Sequence, residues 1–203
     1  LILTGGEPLM RADLTEIVGL FAEKGIEVRL QTNAVLINDE KAKDLIQTGL
    51  KEVTISLDSL DPNRYDEITG VAGSWHRIKK GNMSGINTVV SKRNIEEIPK
   101  IIEFVTRIGF YSSLIPVHIS GDLNEDFIVR KKSPGYSFSQ NDFTLVDKVY
   151  TEIIEMKKRG FNIHNSYKFL QESKEFLENR RVKWHCASPF LYFSISPGGN
   201  FLP

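Results

Sequence analysis

Residues 3 to 10, LTGGEPLM, set two glycines, a carboxylate and a proline directly behind an apolar run. Gly5 and Gly6 let a ligand come close to the backbone, and Pro8 removes a competing donor and fixes the turn. Glu7 offers a carboxylate to a cationic group, and an α-ammonium would suit such a pocket. Thr32 and Ser56 end the next two strand-like runs and supply hydroxyl donors for a carboxylate, so the three chain positions are suited to gripping an amino acid moiety at both ends. The plainer alternatives are a glycine turn feeding a helix with Glu7 as a solvated cap, and, for Thr32, Ser56 and Asn87, strand-end capping through local side-chain bonds.

These groups need a scaffold that brings them to one edge. The apolar runs predict strands at Leu1–Thr4, Glu27–Thr32, Glu52–Leu57, Met83–Val90 and Ser112–His118. Between the first three, helical periodicity predicts helices over Ala12–Lys24 and Asp39–Thr48, and Ile101, Ile102, Val105 and Ile108 mark another after Asn94. Gly25, Gly49 and Gly109 stand where left-handed C-terminal caps belong. The spacing is that of βαβ units, which predicts a parallel sheet with right-handed crossovers. Ligands then sit at the carboxyl ends of the strands, where Thr4 to Pro8, Thr32-Asn33, Ser56 to Ser59, Asn87-Thr88 and Ile115 to His118 all gather.

One crossover reads as too short. After Asp58 a loop runs to Gly73, and the helix SWHRIKKG has at most eight residues before Asn82. The expectation is that residues are missing near Gly81 and Asn82. Beyond His118 a long polar loop precedes two helices, Asp142–Arg159 and Tyr167–Asn179, and a β-hairpin around Pro197 to Asn200. The predicted division is a barrel core over 1–118, a loop and helices over 119–183, and the start of a further domain over 184–203.

Composition narrows the function. The 203 residues are 40% hydrophobic, with 26 Lys plus Arg against 26 Asp plus Glu. No net field recruits nucleic acid or an anionic membrane surface, which leaves a small molecule or a polypeptide as partner. A single cysteine excludes a disulfide framework. With no signal peptide or membrane-length apolar run, the expected location is the cytoplasm. The chain starts inside a strand and stops at Pro203 inside another, which reads as an excerpt of a longer protein.

LTGGEPLMR, the QTN after the next strand, TISLDSLDPNRYDEITG and GINTVV resemble the core of the radical S-adenosylmethionine family, in the right order over roughly residues 1 to 118. The resemblance implies an α/β fold, a partial (β/α)6 TIM-like barrel. It also implies a [4Fe-4S] cluster that reductively cleaves S-adenosylmethionine to a 5′-deoxyadenosyl radical, which abstracts hydrogen from a peptide or cofactor-precursor substrate. Carried over by position, Gly5, Gly6, Glu7 and Pro8 bind the methionine amino group, and Thr32-Asn33 and Ser56, with Asp58, face its carboxylate or the ribose. Asn87 reaches the ribose, and the backbone at Ile115 and Pro116 lines the adenine. The family's CxxxCxxC loop is absent from this sequence, so the cluster ligands are expected outside it. CASPFLYFSISPGGNFLP resembles the start of a SPASM or twitch auxiliary-cluster extension. That makes Cys186 a ligand of an auxiliary Fe–S cluster, against the plain reading of a buried small hydrophobe. An electron donor such as a flavodoxin or ferredoxin is the implied partner.

Two other readings stand beside this one. A catalytically inert βα domain could bind a nucleotide or amino acid without radical chemistry. An aldolase or isomerase barrel is disfavoured, because no lysine or carboxylate pair projects from the strand ends. His118 faces the presumed substrate space as a substrate ligand, proton donor or structural bond. Ser120 to Asn141 is the expected substrate-covering loop.

Overall fold

Alternation of buried and exposed residues along each strand sets the layers. The computed structural model describes residues 1–69, 85–117, 135–178, 194–195 and 201–202. Its main sheet has five strands in the order β1 (Ile2–Leu3), β2 (Val28–Thr32), β3 (Leu50–Ser56), β4 (Gly85–Val90) and β5 (Tyr111–Pro116), every neighbouring pair parallel. Strict sequence order with right-handed crossovers puts all connecting helices on one face, the singly wound arrangement of a barrel arc rather than a doubly wound sheet. The parallel sheet is the one the strand spacing predicted, and its arc is that of the partial TIM-like barrel the resemblance implied.

The outer face carries the core. Val28 and Leu30 of β2 pack with Leu14 and Val18 of α1 (Leu14–Ala22) and Leu45 of α2 (Asp39–Gln47). Ile55, Ile86, Val90 and Leu114 join a second cluster with later helices. Among these is α4 (Ile98–Arg107), which buries Ile98, Ile101, Ile102 and Val105 completely. That i, i+3, i+4, i+7 stripe is worth about 1.5–3 kcal/mol per side chain. Helices α5 (Phe143–Lys158) and α6 (Tyr167–Leu177) pack behind α4 and β5.

The predicted glycine caps are present, with φ of +76° at Gly25, +109° at Gly49 and +84° at Gly109. At Gly49 a Cβ would also lie 2.7 Å from that of Ala22. Strands β6 (Ser194–Ile195) and β7 (Phe201–Leu202) pair antiparallel, as the hairpin reading expected.

Two elements differ from expectation. The stretch after Asp58 is not all loop, because α3 (Pro62–Thr69) occupies part of it. Asp61 accepts from the Asn63 and Arg64 amides at 2.8 and 3.2 Å, an N-cap followed by proline in the first turn. The linker after α5 adds a rudimentary parallel strand to the sheet: Ser112 donates to the Asn162 carbonyl at 2.8 Å and accepts from the His164 amide at 2.8 Å. The Asn165 side chain continues it, exchanging bonds of 2.7 and 2.9 Å with the Leu114 backbone. The edge of β5 is thereby covered. The expected break near Gly81 and Asn82, the helix at Ser74, His118, most of the Ser120–Asn141 loop and Cys186 lie outside the described residues.

Candidate cofactor site

The GGEP loop turns on Gly5, whose φ of +131° is costly for any residue with a Cβ. A Cβ built on Gly5 or Gly6 meets nothing within 4 Å, so both glycines face open space. Pro8 then opens a short 3-10 turn, Pro8–Met10, for which Glu7 is the N-cap. The Glu7 carboxylate does more than cap. Its Oε1 accepts from the Leu9 amide at 3.0 Å and the Thr32 hydroxyl at 2.7 Å, and its Oε2 accepts from the Asn33 amide at 3.0 Å. A carboxylate has about four acceptor positions, so among the described residues one on Oε2 remains. Lys41 of α2 holds the turn from behind, donating to the Leu9 carbonyl at 2.8 Å.

Strand parity decides which predicted residues face a ligand. Thr32 pairs with Ile55, whose side chain lies in the outer core, whereas Ser56 pairs with Asn87 on the opposite, inner face. Thr32 is buried, donates to Glu7 and accepts from the Ala34 amide at 3.0 Å. Its hydroxyl is therefore engaged within the chain, on the opposite face of the sheet from that of Ser56. Among the described residues the Asn33 side-chain NH2 has no partner, while its Oδ1 accepts from the Val35 amide at 3.0 Å.

The inner face carries a row of uncharged polar groups. Register places Gln31 beside Thr54, and Ser56, Asn87 and Ser113 in one line across three strands. The side chains of Gln31, Ser56, Asn87 and Ser113 make no hydrogen bond among the described residues, and all four are at least partly exposed. Gln31 and Ser113 were missed from sequence, although the two-residue period of their strands would have placed them once register was known. Above the line, Val89 and Ile115 pair in register and stand 39% and 43% exposed, while Pro116 is turned to the buried face.

Hydrogen bonds within the chain fix this rim. Asp58 Oδ1 accepts from the Val89 amide at 2.7 Å, and Thr88 donates to the Leu57 carbonyl at 2.7 Å. Asn94, 2% exposed, donates to the carbonyls of both Asp58 and Val89 at 2.9 Å and accepts from the Ser91 amide at 2.8 Å. Glu97 accepts from the Ser59 hydroxyl at 2.8 Å and the Leu60 amide at 3.1 Å and pairs with Arg64. The fully buried Tyr65 of α3 donates to the Ser56 carbonyl at 2.7 Å. Burial raises the Tyr65 pKa most, and the nearby negative charges of Asp58, Asp66 and Glu7 raise it further. Asn94, Glu97 and Tyr65 act through the backbone of site residues, a role that only contacts distant in sequence reveal.

The described residues therefore fit one cofactor of the sequence reading and not the other. Neutral donors and acceptors in a line, an open glycine loop and a spare carboxylate acceptor suit an amino acid joined to a nucleoside, as S-adenosylmethionine is. A [4Fe-4S] cluster needs several thiolates, and this sequence has one cysteine. No group of metal-ligating side chains occurs among the described residues, and no helix there is long and apolar enough to cross a membrane.

Comparison with known proteins agrees with the geometry. Fe-coproporphyrin III synthase of Methanosarcina barkeri is 26% identical over 208 residues, covering 96% of this chain and 46% of that protein. AdoMet-dependent heme synthase of the same organism is 36% identical over 117 residues, 54% of this chain and 34% of that protein. The chain thus spans less than half the length of these relatives. Among solved structures, Streptococcus suis SuiB superimposes with a TM-score of 0.64 at 20% identity, over 99% of this chain and 49% of SuiB. SuiB has also been solved with S-adenosylmethionine, TM-score 0.56, and with the precursor peptide SuiA, TM-score 0.59, in each case at 20% identity over 40% of SuiB and, respectively, 85% and 87% of this chain. The family model for the radical SAM superfamily matches residues 1–128, and the chain belongs to that superfamily, whose cofactors are S-adenosylmethionine and a [4Fe-4S] cluster.

Proposed function

We propose that the full protein is a radical S-adenosylmethionine enzyme and that residues 1–118 hold the methionyl and adenosyl parts of the cofactor. The observation that supports this most is the row of neutral side chains at the carboxyl ends of β3, β4 and β5 that have no partner among the described residues, beside a Glu7 carboxylate with one acceptor position left among them. The spare Glu7 oxygen and the open backbone of Gly5 and Gly6, with Pro8 fixing the turn, take the α-ammonium. Asn33 and Ser56 donate to the carboxylate or a ribose hydroxyl, and Asn87 reaches the ribose. Asp58 is held at the rim by Val89, and the inner side of Ile115 covers the adenine, with the Pro116 backbone behind it. Thr32 positions Glu7 and does not touch the ligand. S-adenosylmethionine held by these residues would supply one-electron, hydrogen-abstracting chemistry to the full protein. The chain's own part is to fix the two ends of that molecule and keep water from between them.

The cluster ligands, the electron donor, a flavodoxin or ferredoxin, and an auxiliary cluster bound through Cys186 complete the reading. The same proposal includes a division into 1–118, 119–183 and 184–203. The substrate proposed is a peptide or a cofactor precursor; the peptide reading is supported by SuiB, solved with its precursor peptide, which shares the fold over most of this chain.

The test is anaerobic reconstitution of the full-length protein with iron and sulfide, followed by dithionite and S-adenosylmethionine. Formation of 5′-deoxyadenosine is the expected result. Binding without cleavage would favour the inert ligand-binding domain, and no binding would contradict the assignment.

A further inference from the structure

The lower part of the inner face holds a chain of contacts that the cofactor site does not use. Tyr111 on β5 donates its hydroxyl to Glu52 Oε1 on β3, reaching across the intervening β4. It passes over Gly85, its register partner, where a Cβ would overlap the tyrosine ring. Glu52 also accepts from the Thr54 hydroxyl at 3.3 Å and pairs through Oε2 with Arg29 Nε on β2 at 3.4 Å. On the other side the His164 ring, from the added edge strand, lies 5.1 Å from the Tyr111 ring. One transverse line of side chains thus ties the strands from β2 to the edge beyond β5.

This line lies directly beneath the rim. Gly85 and Tyr111 each stand two residues before Asn87 and Ser113 on the same strand face, roughly 7 Å lower at about 3.3 Å per residue. The tyrosine ring, laid over Gly85, therefore lies on the same face as Asn87 and below it. We propose that Tyr111, anchored by Glu52 and cleared by Gly85, is a positioning residue that forms the floor of the binding chamber and sets how deeply a ligand enters it. The inference rests on the reading of the rim as an S-adenosylmethionine site. Gly85 is required at its position because any larger residue lifts the ring, and Arg29 serves to hold Glu52 at the right height.

The experiment is calorimetric titration of S-adenosylmethionine into the full-length reconstituted protein, with thermal melts of each variant. Tyr111→Ala and Gly85→Ala are expected to weaken binding about tenfold, whereas Tyr111→Phe, which keeps the ring, stays within about threefold of wild type. Tyr111→Leu, which retains apolar bulk but has no ring to lay over Gly85, serves if the alanine variant folds poorly, and is also expected to bind about tenfold more weakly. Val149→Ala, in the outer helix layer, is the control: its melting temperature falls while its affinity holds. Unchanged affinity in Tyr111→Leu and Gly85→Ala, or equal loss in Val149→Ala, would overturn the floor. Failure of the wild-type protein to bind would overturn the reading of the rim and the floor together.

Discussion

Glu7 and Thr32, 25 residues apart in the chain, share a 2.7 Å hydrogen bond in which the threonine hydroxyl donates to the carboxylate. The bond ties the loop after β1 to the end of β2, and Glu7 is held at the same time by the Leu9 and Asn33 amides. Glu7→Ala leaves those amides without an acceptor and is expected to cost about 1–3 kcal/mol of stability, and Thr32→Val about 1–2 kcal/mol. A double-mutant cycle by urea denaturation should return a coupling of at least about 0.5 kcal/mol. Strict additivity would mean that the two residues do not act as one unit.

Asn94 uses both ends of its amide in a buried position, joining the carbonyls of Asp58 and Val89 to the backbone of Ser91. Asn94→Asp keeps the shape and loses both side-chain donors. Each orphaned carbonyl costs about 1–3 kcal/mol, so a drop of several kcal/mol in unfolding free energy is expected. A change below about 0.5 kcal/mol would show that water replaces the side chain.

Legibility followed range of interaction. The βα period, the left-handed glycine caps and the GGEP loop were readable because they depend on neighbours a few residues away. Helix α3 is legible too, through Asp61 before Pro62, although the sequence reading gives a loop from Asp58 to Gly73. The strand beyond β5 was not, since Asn162 to Asn165 become a strand only where the open edge of β5 offers bonds. The same limit applied at the site: Thr32 and Ser56 look alike in sequence, and only register shows them on opposite faces. Tyr111 over Gly85 likewise needs the alignment of β4 with β5.

Asp142 gives the fold a pH dependence. Hydrogen bonds from Lys92 and then Ser139 lower its pKa from 3.8 to about 2. A carboxylate depressed in the folded state contributes stability above its unfolded pKa, and that contribution is lost as pH falls through the folded one. Denaturation midpoints of the wild-type protein should therefore decline between about pH 4 and pH 2 more steeply than those of Asp142→Asn. Parallel curves for the two proteins would remove Asp142 from the account.

Gly49 closes α2 at a φ of +109°, with Ala22 of α1 only 2.7 Å from where a Cβ would stand. Gly49→Ala combines backbone strain with a clash between two helices and is expected to cost about 1–3 kcal/mol in thermal or urea melts. Gly109→Ala has the strain but no neighbour within 4 Å, so it should cost less. Equal losses would assign the whole effect to the backbone.

Ser56 and Asn87 make no side-chain bond within the described chain, so removing them should leave the fold alone and affect only what they hold. Titration of S-adenosylmethionine into full-length wild-type protein and into the Ser56→Ala, Asn87→Ala double variant measures this most directly. The account predicts binding by the wild type, a loss of about thirtyfold or more in the double variant, and melting curves that agree within about 0.5 kcal/mol. Equal affinity in the two proteins, or a loss matched by loss of stability, would contradict it.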